Sequence, residues 1–228
     1  MTAIDPREFS SRLYEGTVHE RRLEWEAAAT LYARLLDGFE RLEPEDRSAR
    51  RMRAVGRLRR ANALMELERW DEARGTLDGA LDDAKASGDA DVIAEALLAA
   101  GVYATNRGDF ARAEAFLMDA LDRYHRGDDR PSLEGRGWSF LTLATLYGKT
   151  GRLDLSFVTF TKAQDVLGAA EDWAGVAAAW EAQAQVRRAI HDEDRWREDL
   201  AEAVVFYDRA GMTQKAERLR QLLGRKLV

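Results

Sequence analysis

The chain has 228 residues, 46% of them hydrophobic and 33% charged, with no Cys and three Pro. That composition fits a helical protein with a sizeable buried core and excludes disulfides and thiolate metal sites. The net charge of −6 argues against a surface that is a phosphate-binding field throughout. No stretch approaches the roughly 20 apolar residues that span a bilayer, and the start, with Asp5, Arg7, Glu8 and Arg12, lacks the apolar run of a secretory signal. Cytoplasm is therefore the expected location. Pro6, Pro44 and Pro131 are expected between helices, because Pro breaks helix interiors.

In chain order, five segments repeat one spacing of small, aromatic and bulky residues. The first places Gly16 and Ala28 twelve apart, with Trp25 before Ala28 and Tyr32 and Leu35 after it. In the second, Ala61 and Ala73 are again twelve apart, with Leu64, Glu68, Trp70, Leu77 and Ala80 at their offsets. The third has Gly101, Ala104, Gly108, Phe110, Ala113, Leu117 and Ala120. The fourth has Ala144, Tyr147, Gly151, Leu153, Ser156, Phe160 and Ala163. A fifth keeps Ala184, Leu200 and Ala203, but Trp196 stands in the small position and His191 in that of the turn glycine. Residues 212–228 carry Ala216, Leu219, Leu222 and Leu223 on one helical face and are expected to form a closing helix.

Two antiparallel helices approach closely where both present small side chains at their crossing. The pairs Ala61/Ala73, Gly101/Ala113 and Ala144/Ser156 meet that need. Gly108 and Gly151 suit the left-handed residue that ends a helix, and Asp109 suits a cap for the next one. Leu77, Leu117 and Phe160 follow the small residue by four, on the same face, and are expected to fill the space between layers.

This pattern resembles the tetratricopeptide (TPR) repeat over nearly the whole chain. Measured along Ala28, Ala73, Ala113, Ser156 and Trp196, the period is 40 to 45 residues, longer than the standard repeat of about 34. The resemblance is thus to the long-helix bacterial variants. It implies an all-α, right-handed α-α superhelix in a single domain spanning 1–228. Its units would cover approximately 8–43, 48–87, 90–127, 133–170 and 173–210, with the cap at 212–228.

Candidate chemistry is sparse. Gly148-Lys149-Thr150 lacks the earlier glycine of a phosphate loop, since Leu143 stands in its place, and reads as a helix end. Gly135 and Gly137 read as a loop before a helix. His19, His125 and His191 fall in different units without metal-ligand spacing. No Ser lies in a nucleophile elbow. Neither a catalytic residue, a metal site nor a cofactor is expected. The most unusual local feature is the basic run Arg47–Arg60, in which Arg50, Arg53, Arg57 and Arg60 form one helical stripe able to grip phosphates or an acidic peptide. Thirty of the 35 basic residues are Arg, so some clustering follows from composition alone.

In a TPR stack the first helix of each pair lines the inner face, so the resemblance implies a partner-binding groove. Its residues would be Val55, Leu58, Asn62, Met65 and Glu66, then Glu95, Leu98, Val102, Thr105 and Asn106. Trp138, Leu141, Thr145, Gly148 and Lys149 would follow, with Ala178, Glu181, Gln185, Arg188 and Ala189 after them. Trp138 reads either as an anchor for a partner or as packing between adjacent units. The carboxylate-clamp pattern of some TPR domains is not met: Asn62 matches it, while Leu58, Ala99, Trp138 and Thr142 occupy its other positions.

The expected function is a non-catalytic scaffold or adaptor that binds a protein or peptide. The alternative is a regulator sensing a peptide or small ligand, and a third reading is nucleic-acid binding through the arginine run, a partner that the net charge disfavours. No membrane partner is expected; a homodimer is an open expectation of an open-ended stack.

Overall fold

The computed structural model describes residues 6–38, 46–125 and 129–224. Among these residues every regular element is helical. The eleven helices are α1 (Pro6–Arg21), α2 (Trp25–Asp37), α3 (Arg47–Glu66), α4 (Trp70–Ser87), α5 (Ala90–Arg107), α6 (Phe110–Tyr124), α7 (Arg130–Lys149), α8 (Leu153–Ala169), α9 (Trp173–Ala189), α10 (Glu193–Arg209) and α11 (Thr213–Gly224). The chain falls into two compact units, Met1–Tyr103 and Ala104–Val228.

In the first unit α3 packs against both α2 and α4. Ala61 and Ala73 are fully buried in one cluster with Ala28, Tyr32, Leu58, Leu64, Leu77 and Ala80. Small residues at the crossing bring the backbones together, and the larger ones fill the flanks. In the second unit Ser156 repeats the device with a hydrogen bond, its Oγ donating to Ala144 O across the α7–α8 crossing at 2.7 Å. Ala184 and Trp196 share a buried cluster with Leu200, Tyr207, Ala216 and Leu219, which places α9, α10 and α11 around one core. The closing helix is described only to Gly224; the expected remainder, 225–228, lies outside the described residues, as does Pro44.

Seven turns share one backbone solution. Leu23, Glu68, Gly108, Gly151, Glu171, His191 and Gly211 all adopt left-handed φ between 55° and 78°. The next residue's N–H then reaches back five positions, as in Arg69 N to Leu64 O (2.9 Å), Arg152 N to Tyr147 O (2.9 Å) and Asp192 N to Arg187 O (3.0 Å). Each such bond satisfies a carbonyl that the helix end leaves open. His191 therefore performs the turn for which a glycine was expected, and Leu23, Glu68 and Glu171 do so without any signal in residue type.

Two expectations change. Gly135 and Gly137 lie inside α7 rather than in a preceding loop. A Cβ at Gly135 would stand 2.2 Å from the Tyr124 ring, and one at Gly137 2.5 Å from Leu167, so both are glycine because neighbouring side chains occupy that space. Pro131 lies in the first turn of α7 and Pro6 opens α1, rather than lying between helices. A missing N–H costs nothing at either place.

Candidate functional site

The expected groove residues lie on α3, α5, α7 and α9, the first helices of successive pairs. In the first unit Val55, Asn62, Glu95, Leu98 and Val102 are half-buried and Glu66 is exposed. Leu58 and Met65 are buried, Leu58 completely, in the cluster shared with α2 and α4. They hold α3 against its neighbours; Leu58 presents no surface to a partner and Met65 very little.

In the second unit Thr105 is buried and Asn106 exposed, which removes Thr105 from the candidate surface. Trp138 and Leu141 are half-buried beside Ala163, Leu167 and Val176. The Trp138 indole N–H donates to Asp172 Oδ2 at 2.8 Å, while Asp172 Oδ1 accepts from Gly175 N at 2.9 Å and so caps α9. Trp138 is accordingly a structural link from α7 to the α8–α9 turn, and only its remaining exposed part could meet a partner. The Thr145 hydroxyl bonds back to Leu141 O at 3.0 Å. Glu181 Oε2 accepts from the Tyr207 hydroxyl at 2.7 Å. Gly148, Ala178 and Glu181 are half-buried; Lys149, Gln185, Arg188 and Ala189 are exposed.

The arginine stripe is reorganised by an acid on the facing helix. Asp83 of α4 has a side chain only 3% exposed, yet it accepts from Arg53 Nε at 2.7 Å and also from Arg53 Nη2 and Arg57 Nη1. Arg57 Nη1 donates to Gly79 O at 3.0 Å, and Arg50 Nη1 stands 3.8 Å from Asp83 Oδ1. The hydrogen bonds to Asp83 hold the Arg53 guanidinium above its ordinary pKa. The stripe is therefore not an open row of four: three arginines converge on an internal acid, and Arg60, with its Nε buried and unbonded, stands apart. A signal existed in the sequence. Asp83 follows Ala73, Leu77 and Ala80 on the buried side of α4, facing a helix with no acid before Glu66.

A second polar cluster lies between α9 and α10. Asp199 Oδ1 accepts from Gln183 Nε2 at 2.9 Å, and its Oδ2 stands 3.7 Å from Arg187 Nε, too far for a hydrogen bond. Burial is the main cause that raises the pKa of Asp199. Arg187 donates to Asp192 at 3.1 Å and stacks 3.8 Å from the centre of the Phe157 ring. Among the described residues no group of three or more His, Asp or Glu could hold a metal ion, and no helix is long and apolar enough to cross a membrane.

No protein-family model matches the sequence, and neither does any curated protein. Solved structures do match. BtubC (BKLC) from P. vanneervenii superposes with a TM-score of 0.61 at 18% identity, covering 98% of this chain and 86% of that one. A putative kinesin light chain with TPR-like repeats from Podosopora anserina gives 0.59 at 13% identity, covering 91% and 98%. The fold is TPR-like. The apo form of RapI gives 0.63 at 13% identity, covering 95% and 82%, so this TPR-like arrangement of helix pairs extends over most of the chain.

Proposed function

We propose that this TPR-like protein is a non-catalytic, cytoplasmic scaffold whose first helices bind a segment of another protein. The observation that carries the reading is the fold itself, which leaves half-buried apolar and amide side chains on first helices in both units: Val55, Asn62, Leu98 and Val102 in one, Trp138 and Leu141 in the other. Partly exposed apolar residues interleaved with hydrogen-bonding groups suit recognition of a peptide by a few anchors. One solved neighbour supports the same reading, a Rap protein described in complex with Competence and Sporulation Factor, matched at a TM-score of 0.51 and 13% identity. Another, aspartyl phosphate phosphatase F from Bacillus subtilis, is named for a catalytic activity; no such activity is proposed for this chain.

The test is affinity capture with the wild type, Asn62→Ala and Leu141→Ala, each checked for an unchanged melting curve. A partner enriched by the wild type and lost from both variants supports the reading. Turnover of a small substrate that the same substitutions abolish would refute it.

A further inference from the structure

We propose that the α3–α4 hairpin binds a phosphate monoester dianion at Arg50, Arg53 and Arg57, beside the internal carboxylate of Asp83. This site is separate from the proposed peptide surface and does not depend on it.

Positive charge is in surplus on this face. Three guanidinium groups share one carboxylate, which leaves a surplus of two positive charges around Asp83. The other acids nearby do not remove it: Asp89 pairs with Arg51 at 2.6 Å, and Asp82, exposed on α4, forms no ion pair with the three among the described residues. Donors are in surplus too. Asp83 takes Nε and Nη2 of Arg53 and Nη1 of Arg57, while Arg50 makes no hydrogen bond to it.

Accessibility points the same way. The carboxylate is covered, with 3% of its side chain exposed, whereas the arginines around it are 18 to 30% exposed. Asp83 thus fixes the positions of Arg53 and Arg57 and leaves further N–H groups on side chains that, like that of Arg50, are partly exposed. Guanidinium forks match tetrahedral oxyanions, and a monoester dianion neutralises the surplus of two. A nucleic-acid phosphate diester carries one charge and matches less well.

The test is a thermal-shift titration at constant ionic strength with inorganic phosphate, phenyl phosphate, phosphoserine peptide and dimethyl phosphate, each against chloride. A ligand that binds only the folded state raises the melting temperature. The expected result is a saturable rise with phosphate and with both monoesters, and none with the diester. A larger rise with the peptide than with inorganic phosphate assigns the source to a phosphorylated protein; an equal rise assigns it to free phosphate. Arg50→Gln, which removes no hydrogen bond to Asp83, should abolish most of the rise. Asp83→Asn removes the competing charge and should tighten phosphate binding several-fold, read by calorimetry at low temperature should that variant melt early. Equal melting in phosphate and chloride overturns the proposal, as does an undiminished response in Arg50→Gln. Binding of a single-stranded oligonucleotide with no response to the monoesters also overturns it.

Discussion

The α3–α4 and α9–α10 hairpins have the same connectivity and the same kind of turn but differ in the side chains that close them. At the first, the fully buried Ala61 and Ala73 share one cluster, and a buried acid, Asp83, gathers Arg50, Arg53 and Arg57. At the second, Trp196 stands where a small residue was expected and is 1% exposed, against the buried Ala184. Polar groups are buried here as well, but as a pair: Gln183 and Asp199 are bonded to one another. The same crossing position can therefore hold two small residues, as Ala61 and Ala73, or one small residue and one large ring, as Ala184 and Trp196. The repeat fixes where helices cross, not what fills the crossing.

The largest effect should come from emptying the space that Trp196 fills. Trp196→Ala removes a buried ring and is expected to cost about 3–5 kcal/mol in urea unfolding; a loss below about 1 kcal/mol would mean that Trp196 is not what fills it. Next comes Asp83→Ala, which leaves three arginines without their shared acid. Breaking a buried pair costs about 3–5 kcal/mol, and partial exposure of the arginines lowers the expectation to about 2–4 kcal/mol. Salt screens repulsion among exposed charges, so 1 M NaCl should shrink the Asp83→Ala penalty and leave that of Trp196→Ala unchanged.

The turns allow a finer comparison. Gly151 and His191 both hold left-handed φ, and nothing lies within 4 Å of a Cβ built at Gly151, so the backbone alone sets the cost of a side chain there. Gly151→Ala should destabilise by about 1 kcal/mol, and His191→Gly should stabilise by about 0.5–1 kcal/mol. A stabilising Gly151→Ala or a destabilising His191→Gly would break the equivalence of the two turns.

The smallest expected effect is a change in pH dependence. Burial raises the pKa of Asp199 in the folded chain above its unfolded value. The folded state then binds more protons than the unfolded state over the window from the ordinary carboxylate range up to that raised value. Stability attached to the protonated form is full below the window and is lost as pH rises through it. Asp199→Asn should flatten this slope in urea midpoints measured across the window. An unchanged slope would show that Asp199 does not titrate as its burial requires.

Much of the fold was legible because its signals are periodic. Ala61, Ala73, Ala144 and Ser156 mark crossings by size alone, and Leu77 and Phe160 follow on the same face and are buried. What was not legible depends on neighbours distant in sequence. Gly135 looks like a loop residue until the Tyr124 ring is seen beside it. Leu58 and Thr105 share a register with half-buried residues, but packing by other helices decides which positions stay open. Glu68 and Glu171 adopt left-handed turns that residue type does not announce. The arginine stripe was visible, while the acid that claims it lies 26 residues beyond Arg57.

The functional claim is that partners meet the first helices and not the outer sides of the second. Photo-crosslinking residues placed at Asn62 and Leu141, and as controls at the exposed Asp78 of α4 and Val158 of α8, test it directly in intact cells. The account predicts adducts with a common partner from the first two positions and none from the controls. Adducts confined to Asp78 and Val158, or none from any position, would contradict it.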